Sequence, residues 1–380
     1  MRIAVVGPAH PFKGGLAQHT TSLAHHLSAV GHQVTLQSWR TQYPKLLYPG
    51  QLTVSQPEVE LFPDTERSLA WNRPDSWWLT GRRLAARQFD AIVLSIVTPI
   101  QVPAYLTLAA AARTGGCTVV ALCHNVLPHE RRRLDEPMIR TLLRRMDAVL
   151  VHSRDEAALV SARTSAPVEV AALPLHLPAA GQQPAQAGPR PRRNRLLFFG
   201  MVRHYKGLDL LLRALADTKP EVSLTVAGEI WEGRDELVRL ISDLRLGDRV
   251  TMSDNYVAAD KIPALFAAAD ALVLPYRSGT ASQNALIALQ FGVPVIATTA
   301  GAIADSIADG VNGLLCAPGD AADLARAISV LYEPGTVERL QQGVRPPETG
   351  QAWDDYVAAV EGAISSARGR GSDPVASSSQ

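Results

Sequence analysis

Two loops in the second half of the chain hold residue types that could neutralise a bound anion. Arg203 and Lys206 follow the apolar run 195–199 and lie just before Gly207, where an apolar-faced helix begins. Two cations beside a helix start suit phosphate groups: they hold them in the ground state and absorb charge as a phosphate departs. Farther on, the run LPYRSGTASQNALIALQFGVPVIATTA, residues 274–300, reads as strand end, small-residue loop, short helix, turn and strand. Tyr276 and Arg277 lead into Ser278, Gly279, Thr280, Ala281 and Ser282, which offer backbone N–H groups and hydroxyls with little bulk. A helix start built this way suits an anion. The helix is short, because Gly292 and Pro294 stop it. Gln283 and Asn284, in its first turn, could contact ligand hydroxyls.

The first half carries a polar loop, CHNVLPHE at residues 123–130, after the apolar run 118–122. Loops at the carboxyl ends of parallel strands are favoured site positions. His124 can donate or accept a hydrogen bond with a sugar hydroxyl, and Asn125 can orient that histidine or touch the ligand. The plainer alternative is a loop histidine with no chemical task. His129 and Glu130 are weaker candidates. Near the start, GPAHPFKGGLAQH at residues 7–19 places Gly14 and Gly15 before a helix, where they allow close backbone approach to a ligand. Their spacing is not a dinucleotide fingerprint, and an ordinary strand-to-helix turn is the alternative.

These loops need strands and helices to hold them. Short buried-strand signals at 2–6, 34–38, 91–95, 118–122 and 148–152 alternate with helical stretches at 16–27, 102–112 and 154–161. The pattern breaks over 173–194, rich in proline, alanine, glutamine and arginine. It restarts with strands at 195–199, 223–227, 249–252, 271–274 and 295–297. Helices at 208–216, 261–268 and 321–331 intervene. That alternation describes two open α/β domains. The expected divisions are 1–172, a linker or exposed loop at 173–194, 195–348, a terminal helix at 349–365, and a polar, disordered tail at 366–380.

Composition narrows the classes. The chain has 380 residues and 47% hydrophobic content, enough for two domain cores. Lysine plus arginine number 37 against 36 acids, so nothing marks a dedicated nucleic-acid binder. Cys117, Cys123 and Cys316 form no metal-binding spacing and no disulfide framework. The start MRIAVVGPAH leads directly into a strand without a secretion signal, and no apolar run is long enough for a membrane-spanning helix. A soluble cytoplasmic protein is the expectation. Trp77 and Trp78 beside Arg82 and Arg83, and the arginines after Glu130, raise peripheral contact with the inner face of the membrane. Solvated arginines and core tryptophans are the alternative.

The segment 274–300 resembles the nucleotide-sugar side of retaining glycosyltransferases of family 4, which have the GT-B fold: two facing Rossmann-like domains with a central cleft. In the usual member one glutamate opens the loop and a second follows along the helix. Here those places hold Gly279 and Ile287, so the chain looks closer to a branch without the acidic pair. The run RLLFFGMVRHYKGLDLLLRAL, residues 195–215, resembles the family motif whose arginine and lysine clamp the donor diphosphate. The usual arginine position holds Met201, and Arg203 takes the role instead. The resemblance assigns His124 a place near the donor sugar, and Gly14 and Gly15 a loop near donor phosphate and acceptor. It assigns Tyr256 and Val257 to packing against the nucleotide base. Glu229 falls where relatives usually have a small residue near the ligand; it contacts the sugar, orders an arginine, or is a surface acid.

The resemblance therefore implies a transferase that moves a sugar from a UDP- or GDP-linked donor to an acceptor hydroxyl or amine, with retention at the anomeric carbon. His124, Arg203 and Lys206 would carry the chemistry. No cofactor and no metal are required in that scheme, because the cations and helix amides neutralise the diphosphate. The acceptor is a small molecule, a glycan or a lipid-linked sugar. A nucleotide-sugar epimerase, a sugar phosphorylase and a non-catalytic nucleotide-sugar binder are the alternatives.

Overall fold

A computed structural model describes residues 1–44, 52–128, 132–176, 192–279 and 282–371, with backbone only at 370 and 371. The described residues form two compact units: 1–176 with 349–371, and 192–348.

Unit 1 runs β1 (Arg2–Val6), α1 (Gly15–Ala29), β2 (Gln33–Thr41), β3 (Thr65–Ala70), α2 (Pro74–Ala86), β4 (Ala91–Ile96), α3 (Val102–Thr114), β5 (Thr118–Cys123), α4 (Asp135–Leu143), β6 (Ala148–Val151), α5 (Arg154–Ser161) and β7 (Val168–Val170). Its sheet is parallel, in the order β3-β2-β1-β4-β5-β6-β7. Every residue of β4 and β5 is buried, which is why both read as continuous apolar runs. One core cluster joins Leu84 of α2, Tyr105 and Leu108 of α3, and Ile139 and Leu142 of α4 to the sheet. The other joins Leu23 and Leu27 of α1 to Trp353, Tyr356, Val360 and Ile364.

Those last four residues belong to α12 (Thr349–Gly371), which packs on β5, β6, β7 and α1. Trp353 donates its Nε1–H to the Leu175 carbonyl at 3.1 Å, and His32 Nε2 lies 2.7 Å from Glu361 Oε1. The helix continues past residue 365, where the sequence suggests a disordered tail from 366. Arg368 reaches the Asp90 carboxylate at 3.0 Å and gives these polar turns a partner. At the other expected boundary, Leu175 and His176 are buried in unit 1, whereas residues 177–191 lie outside the described set.

Unit 2 runs β8 (Arg195–Phe199), α6 (Leu208–Ala216), β9 (Ser223–Ala227), α7 (Arg234–Asp243), β10 (Val250–Ser253), α8 (Ile262–Ala267), β11 (Ala271–Leu274), α9 (Gln283–Gln290), β12 (Val295–Thr298), β13 (Gly313–Cys316), α10 (Ala321–Leu331) and α11 (Thr336–Gly343). The parallel sheet order is β10-β9-β8-β11-β12-β13. Chain direction across the sheet reverses between β8 and β11. Open α/β sheets bind ligands beyond the carboxyl ends of the strands at such a switch point. The loops that follow β8 and β11 are the two anion-loop candidates.

Candidate functional site

In unit 2 the two loops are tied together. Arg277 donates to both carboxylate oxygens of Asp209, at 2.8 and 2.6 Å, and to the His204 carbonyl at 2.9 Å. Its own backbone N–H reaches the Tyr205 carbonyl at 2.7 Å. A bidentate arginine–carboxylate pair fixes geometry as well as charge. Gly207 sits at φ 69°, and a Cβ there would run into the Pro275 carbonyl oxygen. Only glycine lets α6 start this close to the end of β11.

Lys206 is 8% exposed, with Nζ 5.4 Å from the centre of the Tyr276 ring. Burial works against its ammonium, but Tyr276 and Tyr205 favour it, and the balance lies above the ordinary lysine value. It is therefore a charged group at neutral pH. Arg203 is held differently: Nη2 lies 3.1 Å from Glu232 Oε1, and the guanidinium sits 5.5 Å over the Trp231 ring. Glu229 accepts from Trp231 Nε1 at 3.2 Å, so it belongs to the same Arg203–Trp231 group.

Asn284 donates Nδ2–H to the Phe199 carbonyl at 2.8 Å, with the Tyr276 hydroxyl at 3.4 Å. Its amide thus locks the start of α9 to the end of β8. Ser282 precedes α9 without a side-chain capping bond, and Gln283 opens the helix. Thr280 and Ala281 lie outside the described residues. Tyr256 and Val257 line a cavity of 490 Å³ together with Leu197, Ala227, Ser253 and Lys261. Its lining does not include Arg203 or Lys206.

In unit 1, His124 ends in a cluster that sequence spacing does not reveal. Its Nε2 lies 3.0 Å from Ser95 Oγ. Its ring meets His19 edge-on at 4.8 Å and lies 5.2 Å from His152. His176 lies 5.4 Å from His19, while Trp353 and Tyr356 of α12 pack at 5.5 and 5.2 Å. Burial, then mutual repulsion, holds His19 and His124 well below the usual histidine range; His152 and His176 are pushed down to about 4. At neutral pH His124 is an uncharged imidazole. It can exchange hydrogen bonds with a hydroxyl but carries no positive charge. Asn125 is partly buried beside it.

The double-glycine loop already has an acidic occupant. Glu58 Oε2 accepts from the Gly14 N–H at 3.2 Å and from Gln18 Nε2 at 3.1 Å. Gly15 packs against His176, whose Nε2 would lie 3.1 Å from a Cβ there. Among the described residues no three His, Cys, Asp or Glu side chains are placed to hold a metal ion. No helix among them is long and apolar enough to cross a membrane.

Residues 13–174 match the family model "Glycosyltransferase Family 4", and residues 181–343 match "Glycosyl transferases group 1". The two matches follow one another along the chain and correspond to its two halves. The chain belongs to the family 4-like glycosyltransferases.

Among curated relatives, the D-inositol 3-phosphate glycosyltransferase of Pseudarthrobacter chlorophenolicus is 35% identical over 152 residues, 38% of this chain and 36% of that protein. The glycogen synthase of Mycobacterium tuberculosis is 32% identical over 165 residues, 42% of this chain and 39% of that protein. The aligned stretches span less than half the length of these relatives. Among solved structures, sucrose-phosphate synthase from Thermosynechococcus elongatus superposes with a TM-score of 0.72 at 19% identity, covering 98% of this chain and 100% of that one. HepE of Anabaena, in complex with UDP and glucose, gives 0.68 at 18% identity, with 97% and 100% covered. Both show the fold: a two-domain α/β architecture of the GT-B type.

The structure gives a physical setting for the absent acidic pair. A Cβ on Gly279 would lie 2.5 Å from Ile303 Cδ1, so the loop is packed for glycine. Ile287 is 7% exposed within α9, an apolar setting that disfavours an ionised carboxylate. Sequence reasoning missed Ser95, His19, His152, His176 and Asp209. His152 follows β6 as His124 follows β5, and that shared position at adjacent strand ends is the one signal that could have found it.

Proposed function

We propose that the chain transfers a sugar from a nucleoside diphosphate sugar to an acceptor hydroxyl or amine, with retention at the anomeric carbon. The observation that carries this reading is Lys206: a buried, charged ammonium in the loop after β8, at the switch point of unit 2, with the loop after β11 stapled to it. The bond between the anomeric carbon and the diphosphate oxygen breaks as Lys206 and Arg203 take up the negative charge. Arg203 reaches the diphosphate by exchanging its pairing with Glu232. The acceptor oxygen or nitrogen bonds to the anomeric carbon on the same face, and its proton passes to the departing phosphate oxygen. His124, uncharged, holds a sugar hydroxyl. Charge neutralisation by these groups and the α9 amides makes neither a metal nor a cofactor necessary.

UDP is the favoured nucleotide, in keeping with the UDP and UDP-glucose named for HepE. Tyr256 and Val257 take the base. Gln283 contacts ribose or sugar, whereas Asn284 acts by positioning α9. The acceptor is a small phosphorylated polyol, a glycan or a lipid-linked sugar. The first of these follows the D-inositol 3-phosphate glycosyltransferases among the relatives. A cytoplasmic location, including the inner membrane face, suits those substrates.

A mass-spectrometric screen tests the proposal. Purified protein is incubated with UDP- and GDP-sugars and mixed acceptors, with and without magnesium. Nucleoside diphosphate release coupled to a heavier acceptor is the expected result. Release without any acceptor gain, or no donor binding, would overturn the transfer reading.

A further inference from the structure

At the carboxyl ends of β2 and β3, away from the residues assigned above, unit 1 holds a cavity of 390 Å³. Arg40, Arg73 and Arg83 line it together with Thr41, Ser68 and Asp75. The three guanidinium groups differ in how far they are committed. Arg73 is bound by Asp75 through Nε to Oδ1 at 2.9 Å and Nη2 to Oδ2 at 2.7 Å. Arg83 is held loosely, 3.9 Å from Glu66 and 3.4 Å from the Thr80 hydroxyl. Arg40 has no ion-pair partner among the described residues. Glu66 gives its short bond, 2.7 Å, to Arg87 instead.

The cavity therefore presents one open and one weakly held guanidinium, beside hydroxyl groups anchored from below. Ser68 Oγ accepts from Gln37 Nε2 at 2.9 Å and shares a hydrogen bond with Thr80 Oγ1 at 2.6 Å. Guanidinium forks match the spacing of phosphate oxygens, and two forks complement a dianion better than a single carboxylate. The β2–β3 end of the sheet also lies three to four strands from β5, about 15–20 Å at ordinary strand spacing. A group bound there is remote from one held by His124.

We propose that this cavity is a phosphate-binding site, gripping through Arg40 and Arg83 a phosphate group carried by the acceptor at a distance from its reacting hydroxyl. The link to an acceptor rests on the sugar-transfer reading; the affinity for phosphate does not. The phosphate could belong to a soluble ester or to a lipid. Trp78 and Leu79 of α2 are 53% and 50% exposed, Leu79 lines the cavity, and Arg82 stacks 4.7 Å over Trp78. An apolar rim of this kind favours a lipid phosphate.

Titration calorimetry on the whole chain separates the cases, with inorganic phosphate, glycerol 1-phosphate, and phosphatidylcholine vesicles with or without phosphatidic acid as probes. Arg40→Ala combined with Arg83→Ala is expected to weaken phosphate binding at least about tenfold. Arg140→Ala, an exposed arginine on α4, is expected to leave it unchanged. Glycerol 1-phosphate binding as tightly as the vesicles identifies a soluble ester. Binding to phosphatidic acid vesicles that is much tighter, and lost in the double variant, identifies a lipid. Absence of phosphate binding, or binding that survives the double variant, overturns the site. Phosphate binding that depends on Arg40 in a protein that turns over no donor keeps the site and removes only its assignment to an acceptor.

Discussion

His124 Nε2 lies 3.0 Å from Ser95 Oγ, so the carboxyl end of β4 sets the imidazole that follows β5. The Ser95 carbonyl also accepts from the Tyr105 hydroxyl at 2.8 Å, which fixes the serine in turn. Removal of the hydroxyl in Ser95→Ala leaves His124 in place but free to reorient. The expected result is a fall in kcat of about tenfold with donor KM little changed. Equal kcat in both proteins would deny Ser95 a positioning role.

Lys206 separates function from stability. Its ammonium is buried with no carboxylate bonded to it among the described residues, and Tyr276 and Tyr205 offset the cost of that burial; Lys206→Met removes both effects together and keeps the stem volume. The melting temperature is expected to change little. Transfer kcat/KM is expected to fall about 10²–10³-fold, as for loss of one oxyanion-stabilising group. A variant that unfolds early would show that the lysine serves the fold.

The pairing of Arg277 with Asp209 joins the loops after β8 and β11. Arg277→Ala breaks two carboxylate bonds and the bond to the His204 carbonyl. Donor affinity is expected to drop about tenfold, with a stability loss of about 1 kcal/mol for a pair whose side chains are 26% and 33% exposed. Calorimetric titration with UDP and a thermal melt check both parts.

Gly279 offers a test of the missing acid. Gly279→Glu places a Cβ 2.5 Å from Ile303 Cδ1 and is expected to destabilise unit 2 by about 1–3 kcal/mol. Adding Ile303→Ala opens that space and recovers part of the loss. If the single variant melts like the parent protein, the loop is not packed for glycine.

The histidine cluster makes unit 1 acid-sensitive. In the unfolded chain His19, His124, His152 and His176 take up protons near the ordinary value of 6.5; in the folded state His152 and His176 resist until about 4, and the other two are also held down. Between those values the unfolded state binds more protons, so stability falls as pH drops. Glu156, pushed up to about 7 by burial, acts in the opposite sense, one carboxyl against four imidazoles. Tyr356 and Cys123 are raised by burial and stay neutral throughout. Melting temperature is expected to fall between about pH 7 and about pH 5, with a shallower fall in His19→Phe. A flat profile would contradict the neutral cluster.

Local chemistry in the sequence determined the buried strands and the loops that follow them. The parallel strands β4, β5, β8 and β11 are legible because both faces are covered, which leaves unbroken apolar runs such as AIVLSI and RLLFF. Loop residues beyond them, His124, Arg203 and Lys206, are legible because punctuation by glycine and proline marks where each strand ends. Weakly patterned elements were not legible. The mostly exposed α2 and the three-residue β7 carry little apolar pattern, and packing against neighbours decides them. Half-charged α7 is different: Leu237, Leu240 and Ile241 recur at helical spacing and face the core of unit 2.

What each polar group does was decided by tertiary structure. Asn284 turns to Phe199, Arg277 to Asp209, Arg203 to Glu232, and Glu58 to Gly14, each across a separation of many residues that no local pattern encodes. The four histidines lie at positions 19, 124, 152 and 176, and only the crossover connections of a doubly wound sheet bring them together. Strand order, a long-range property, converts scattered side chains into a buried cluster whose shared exclusion of water sets their protonation.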